Sequence, residues 1–226
     1  MSQNFLSTRL DSVIIKRRML DHAFYRAWEI GALSRGDLSD YACQYFQHVE
    51  AFPRVVSAAH SSCPNSAGRR MLAENLSEEE GLSDGHKPHA ALWLDFARGI
   101  GAEEAQVRAT IPRAQTKNLI DTFLRLSRQS YPAALGALYA YESQMPDVAL
   151  TKIKGLQEFY GARDETATRF FAVHASADVE HADVCRALLN QLTDDDAEEA
   201  VSAALELSNA LLGFLDGALE NSALAA

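Results

Sequence analysis

Cysteine is scarce in this 226-residue chain. Its three copies, Cys43, Cys63 and Cys185, are scattered, and no CxxC pair occurs. That excludes a disulfide framework and points to free thiols in a reducing compartment. A basic surplus is also missing. The 21 Lys and Arg stand against 31 Asp and Glu, for a net charge of −10. This is the wrong sign for a nucleic-acid-binding surface or for attraction to an anionic membrane. No long hydrophobic run is present either. The longest nearly apolar stretch, around Pro132 to Ala140, falls far short of the ~20 residues that span a bilayer. The N-terminal stretch is amphipathic and lacks the apolar core and cleavage site of a signal peptide. A cytoplasmic protein with no nucleic-acid or membrane partner is expected.

Alternating strand patterns, internal repeats and low-complexity linkers are absent too. What the chain does have is helical periodicity almost throughout. The apolar positions Leu10, Val13, Ile14, Leu20, Phe24 and Trp28 predict one helix from Leu6 to Ile30, with Gly31 as its stop. Further helices are expected from Ser34 or Asp37 to Ser62, kinked at Pro53, and from Ser66 to Leu82. Gly81, Ser83, Asp84 and Gly85 then form a breaker cluster. The pattern continues with a helix carrying His89, Trp93 and Phe96, a short piece from Glu103 to Thr110, and a helix from Arg113 to Gln129. A segment from Tyr131 to Tyr160 is broken or bent at Pro146. Helices from Asp164 to Leu192 and from about Thr193 to Leu219 complete it. One all-α domain over residues 1–226, with seven or eight helices, is the expected architecture.

The strongest chemical signal lies in the penultimate helix. His174, Asp178 and His181 are spaced i, i+4, i+7 and share an arc of roughly 60° with Phe170, Phe171, Cys185 and Leu188. Two imidazoles and a carboxylate thus interrupt an inward-facing apolar stripe. Buried ionisable groups are costly unless paired, hydrogen-bonded or bound to a metal. Other groups placed the same way are Glu142, which shares a face with Leu135, Leu138 and Met145, Glu79, after Leu72 and Leu76, and His89, which leads the stripe of Trp93 and Phe96. Glu142 could equally pair with Arg128 or Lys152. Glu78 and Glu80 should be solvated, and His22, His48, His60 and His86 are unremarkable by pattern. Three carboxylates and three imidazoles, with no thiolate, suit two iron or manganese ions, with coordination positions left for dioxygen. A dioxygen-using enzyme of this kind also needs an external reductant, which the sequence does not identify. The paired Glu-x-x-His of ferritin-like bundles is missing: Met145 stands where its first His would be.

The segments His22-Ala23-Phe24-Tyr25, Glu50-Ala51-Phe52-Pro53, Tyr139 to Pro146, Lys152-Ile153-Lys154-Gly155 and His174…Asp178…His181 resemble the family of the chlamydial protein associating with death domains. The resemblance runs over nearly the whole chain. It implies a haem-oxygenase-like helical fold, related to pyrroloquinoline quinone synthase C and thiaminase II. The implied activity is that of a non-haem Fe/Fe or Fe/Mn oxidase making 4-aminobenzoate for folate synthesis. The same six ligands are implied, and three further residues are added: Tyr25 as the source of the aromatic ring, Lys152 as the amino donor, and Tyr141 as a redox or positioning neighbour. The stretch Glu80 to Pro88 is longer than in the chlamydial protein, which makes His86 a rival to His89. A homodimer is compatible with the resemblance. Three other readings compete: a thiaminase II-like hydrolase using Cys43 or Cys185, a haem oxygenase with His22 as axial ligand, and a helical module that binds partner helices.

Overall fold

The computed structural model describes residues 5–82, 86–220 and 222. Ser83, Asp84 and Gly85 of the expected breaker cluster lie outside the described residues. The helices are α1 (Phe5–Ile15), α2 (Ala23–Glu29), α3 (Arg35–Ser62), α4 (Ser66–Glu79), α5 (His89–Gly99), α6 (Glu104–Ala109), α7 (Ala114–Gln129), α8 (Tyr131–Glu142), α9 (Met145–Glu158), α10 (Glu165–Leu189) and α11 (Asp194–Leu219). No strand occurs among the described residues.

The all-α class is therefore as expected, but the helices number more than seven or eight: the first predicted helix is split, the Tyr131–Tyr160 segment, expected to break or bend at Pro146, forms two, and the short piece near Glu104 is a helix of its own. The first, expected to run unbroken from Leu6 to Ile30, is interrupted by a 3₁₀ turn at Met19–Asp21 and restarts after His22. His22 takes an extended backbone, and its Nδ1 accepts the Phe24 amide hydrogen, so an imidazole caps α2. Apolar periodicity continues through Met19 and Leu20, so it could not reveal the break. The second split separates α8 from α9 at Ser143 and Gln144. Pro146 lies in the first turn of α9, where its missing amide hydrogen is not needed. Pro53, in contrast, sits inside an unbroken α3.

Helix α8 is the axis of the molecule: every residue from Pro132 to Glu142 is buried. It packs on α11, α10 and α7, while α10 also packs on α9, α5 and α4. Contact with α11 is backbone to backbone. A Cβ added at Gly136 would lie 2.1 Å from the Ala200 carbonyl oxygen, so only glycine permits this approach. Among the described residues, no helix is long and apolar enough to cross a membrane.

Candidate metal centre and aromatic cage

Glu79 ends α4 and His89 opens α5. The chain between them turns back at Gly81 (φ +64°), whose Cα lies so close to Pro88 that a Cβ there would meet Pro88 N at 2.4 Å. That reversal, with α10 packed beside both helices, brings three predicted ligands to one point. One donor atom each from Glu79, His89 and His174 lies within 4.8 Å of the others, and all three residues are buried. His89 Nδ1 is 3.0 Å from Glu79 Oε2, yet it makes no hydrogen bond. His174 Nδ1 lies 2.7 Å from the Phe170 carbonyl oxygen. A carbonyl can only accept, so Nδ1 carries the proton and Nε2 keeps its lone pair.

The other three predicted ligands stand beside this group. Asp178 Oδ1 lies 3.3 Å from His181 Nδ1, and Asp178 Oδ2 is buried without a partner. Glu142 comes from α8. Its Oε1 accepts from Asn75 Nδ2 at 2.8 Å and its Oε2 from Cys185 Sγ at 3.3 Å. These are its partners, not Arg128 or Lys152. His86, the rival to His89, is exposed.

Burial dominates the titration of the cluster. It raises Glu79 to about 8 and Glu142 to about 7, and lowers His89 to about 4 and His174 below the usual histidine range. At His181 burial again disfavours the charge, but Asp178, Glu142 and Glu78 outweigh it and lift the imidazole to about 9. Asp178 also acts on Glu79, His89 and His174, so the two groups of ligands share one electrostatic field. Orphaned donor atoms, an oxygen and imidazole donor set, and buried carboxylates whose charge desolvation disfavours all fit first-row divalent ions.

A second buried group borders the first. Lys152 on α9 is 2% exposed, and its Nζ donates to Tyr41 Oη. The amine lies 5.6 Å from the ring centre of Tyr25, 4.7 Å from Tyr41, 5.0 Å from Tyr45, 5.6 Å from Trp93 and 5.1 Å from Phe171. Among the described residues no carboxylate pairs with it. Burial drives its pKa well below the lysine range and so favours the neutral amine with its lone pair. Tyr25 is fully buried. Its hydroxyl faces Tyr41 without a hydrogen bond of regular geometry. Gly155, one turn beyond Lys152, lets α9 close on this wall: a Cβ there would meet Trp28 Nε1 at 2.4 Å.

Aromatic rings join the two groups. Trp93 packs on Phe170 at 4.8 Å, and Phe170 on His174 at 4.2 Å. Tyr45 Oη lies 2.9 Å from Tyr141 Oη, and both hydroxyls sense Asp178 and Glu79. Both tyrosines also pack edge-on against His48, at 5.2 Å in each case.

Several sequence expectations need correcting. Glu78 is not simply solvated, since its Oε2 lies 3.2 Å from His181 Nε2. His48 is buried, and burial lowers it to about 3. Asn75, Tyr41 and Tyr45 were not singled out. The last two could have been, because Tyr41, Tyr45, His48 and Phe52 follow helical spacing on α3. Two of the competing readings lose their residues. Both His22 nitrogens are engaged, with Phe24 N–H and with Asp216 Oδ1 at 3.0 Å, so no axial haem ligand is free there. All three cysteines are buried, and burial pushes the Cys185 thiol well up, away from a nucleophilic thiolate.

Comparison with known proteins extends this picture. The sequence profile of a family described as iron-containing redox enzymes matches residues 39–212. The 4-aminobenzoate synthase of Chlamydia muridarum is 39% identical over 220 residues, covering 97% of this chain and 92% of the relative. That of Nitrosomonas europaea is 38% identical over 233 residues, covering 98% and 94%. The crystal structure of a CADD-like protein of unknown function from Nostoc punctiforme shares the fold. It gives a TM-score of 0.81 at 19% identity, over 98% of this chain and 99% of that one.

Proposed function

The chain belongs to the iron-containing redox enzymes of haem-oxygenase-like fold, and from that premise we propose that it makes 4-aminobenzoate, a folate precursor, from its own side chains. Tyr25 supplies the ring and Lys152 the amino nitrogen. The observation that carries this reading is the buried Lys152 amine, without a carboxylate partner among the described residues and enclosed by the rings of Tyr25, Tyr41, Tyr45, Trp93 and Phe171 beside the carboxylate–imidazole cluster; burial lowers its pKa and favours the neutral form. An ammonium ion has no lone pair with which to form a bond to carbon, whereas a neutral amine has one.

Glu79, His89, Glu142, His174, Asp178 and His181 would hold two ions, Fe/Fe or Fe/Mn, which when bound supply oxidising power drawn from dioxygen and an external reductant. The protein's own groups do the rest. Phe170 O fixes the His174 tautomer, and Asn75 and Cys185 orient Glu142. Trp93 and Phe171 keep water from the amine. Tyr141 and Tyr45 join their hydroxyls in one hydrogen bond between cluster and cage.

The test is stoichiometry. Metal-loaded protein given reductant and dioxygen should yield a single product molecule per chain, with altered masses in peptides containing Tyr25 and Lys152. Repeated turnover with an unmodified Tyr25 peptide would mean an external substrate.

A further inference from the structure

Glu78 lies outside the six-residue set, and its position is unlike that of a solvated carboxylate. Its Oε2 is 3.2 Å from His181 Nε2, and its side chain is 41% exposed against 10% for His181. No regular hydrogen bond joins the two atoms. Two donors bound to one ion at about 2.1 Å, roughly at right angles, sit about 3 Å apart. The Glu78–His181 separation matches that spacing, as does the 3.0 Å between Glu79 Oε2 and His89 Nδ1. On its other ring edge His181 meets Asp178, whose buried Oδ2 has no partner. Glu78 also lines a cavity of about 320 Å³, together with His86, His89, Val173 and Ala177, that opens beside the cluster.

We propose that Glu78 is a seventh metal ligand, closing the His181 side of the centre from the solvent-facing cavity. This rests on the dimetal reading above. It gives the two ions unequal surroundings. The one near Glu79, His89 and His174 is held by buried groups, whereas the one near His181 has a carboxylate that water can reach and replace. The second ion is then the exchangeable one.

Metal-free protein titrated with cobalt(II), followed by calorimetry and by the visible d–d absorption, tests this. Wild type should take up two ions. In Glu78→Ala one ion should bind about tenfold or more weakly with an altered d–d band, while the other is unchanged. Glu80→Ala, at an exposed neighbour, should match wild type in both readouts. Two ions of wild-type affinity and spectrum in Glu78→Ala would overturn the role of Glu78 alone. Fewer than two ions in wild type would overturn the dimetal reading with it.

Discussion

The cluster and the cage solve the same problem in opposite ways. Both bury ionisable side chains that unfolded chains keep in water. In the cluster, six such groups face one another, and donors such as His89 Nδ1 and Asp178 Oδ2 are left unpartnered. In the cage a single amine faces only rings and one phenol. The first arrangement invites an added cation. The second disfavours the amine's charge and so favours a lone pair. Net polarity therefore does not distinguish a binding centre from a reactive one; whether buried charges have company does.

Changes in the cage should separate the two regions most sharply. Tyr25→Phe or Lys152→Met should abolish 4-aminobenzoate while both ions remain bound, measured by chromatography beside elemental analysis. Loss of metal in either variant would mean the regions are not separable. The reverse experiment ranks next. His174→Ala or Glu142→Ala should weaken metal binding about 10- to 100-fold and leave the near-ultraviolet circular dichroism of the aromatic cage in place.

That first contrast also marks what the sequence could tell. His174, Asp178 and His181 were legible because one helix carries all three, and helical period alone puts them on one face. Glu142 and Glu79 followed from the apolar stripes around them. Lys152 and Tyr25 were not legible from pattern and entered only through family resemblance. A lysine's burial depends on what four other helices place around it, and local sequence leans toward the surface for that residue type. The break at His22 was missed for a related reason: the capping group is an imidazole, not one of the usual hydroxyl, amide or carboxylate caps.

A third test uses pH. Burial disfavours the charged form of Lys152 in the folded protein, whereas the unfolded chain binds a proton there below about pH 10.4. The unfolded state then holds the extra proton, so this residue costs stability at low pH and less as pH rises, by up to about 1.4 kcal/mol per unit. Metal-free Lys152→Met should therefore be more stable than wild type near neutral pH, and the gap should narrow as pH rises towards about 9. A gap that does not change, followed by denaturant titration, would mean the amine is charged in the folded protein. The smallest effect is expected where the regions meet. Tyr45→Phe removes the 2.9 Å bond to Tyr141 and should cost about 1–2 kcal/mol, with metal content kept and product formation slowed, not lost. Wild-type rates in that variant would remove the tyrosine pair from the path between cluster and cage.

Gly136 has a consequence that is mechanical. Helix α8 behaves as a rod, clamped against the Ala200 backbone at Gly136 and carrying Glu142 about 9 Å further along at 1.5 Å per residue. A single methyl group at the clamp would push the rod outward and carry the carboxylate with it. The positional tolerance of a ligand is thus set nearly two turns away, where backbone meets backbone, so the packing of α8 on α11 and the alignment of the centre are one adjustment.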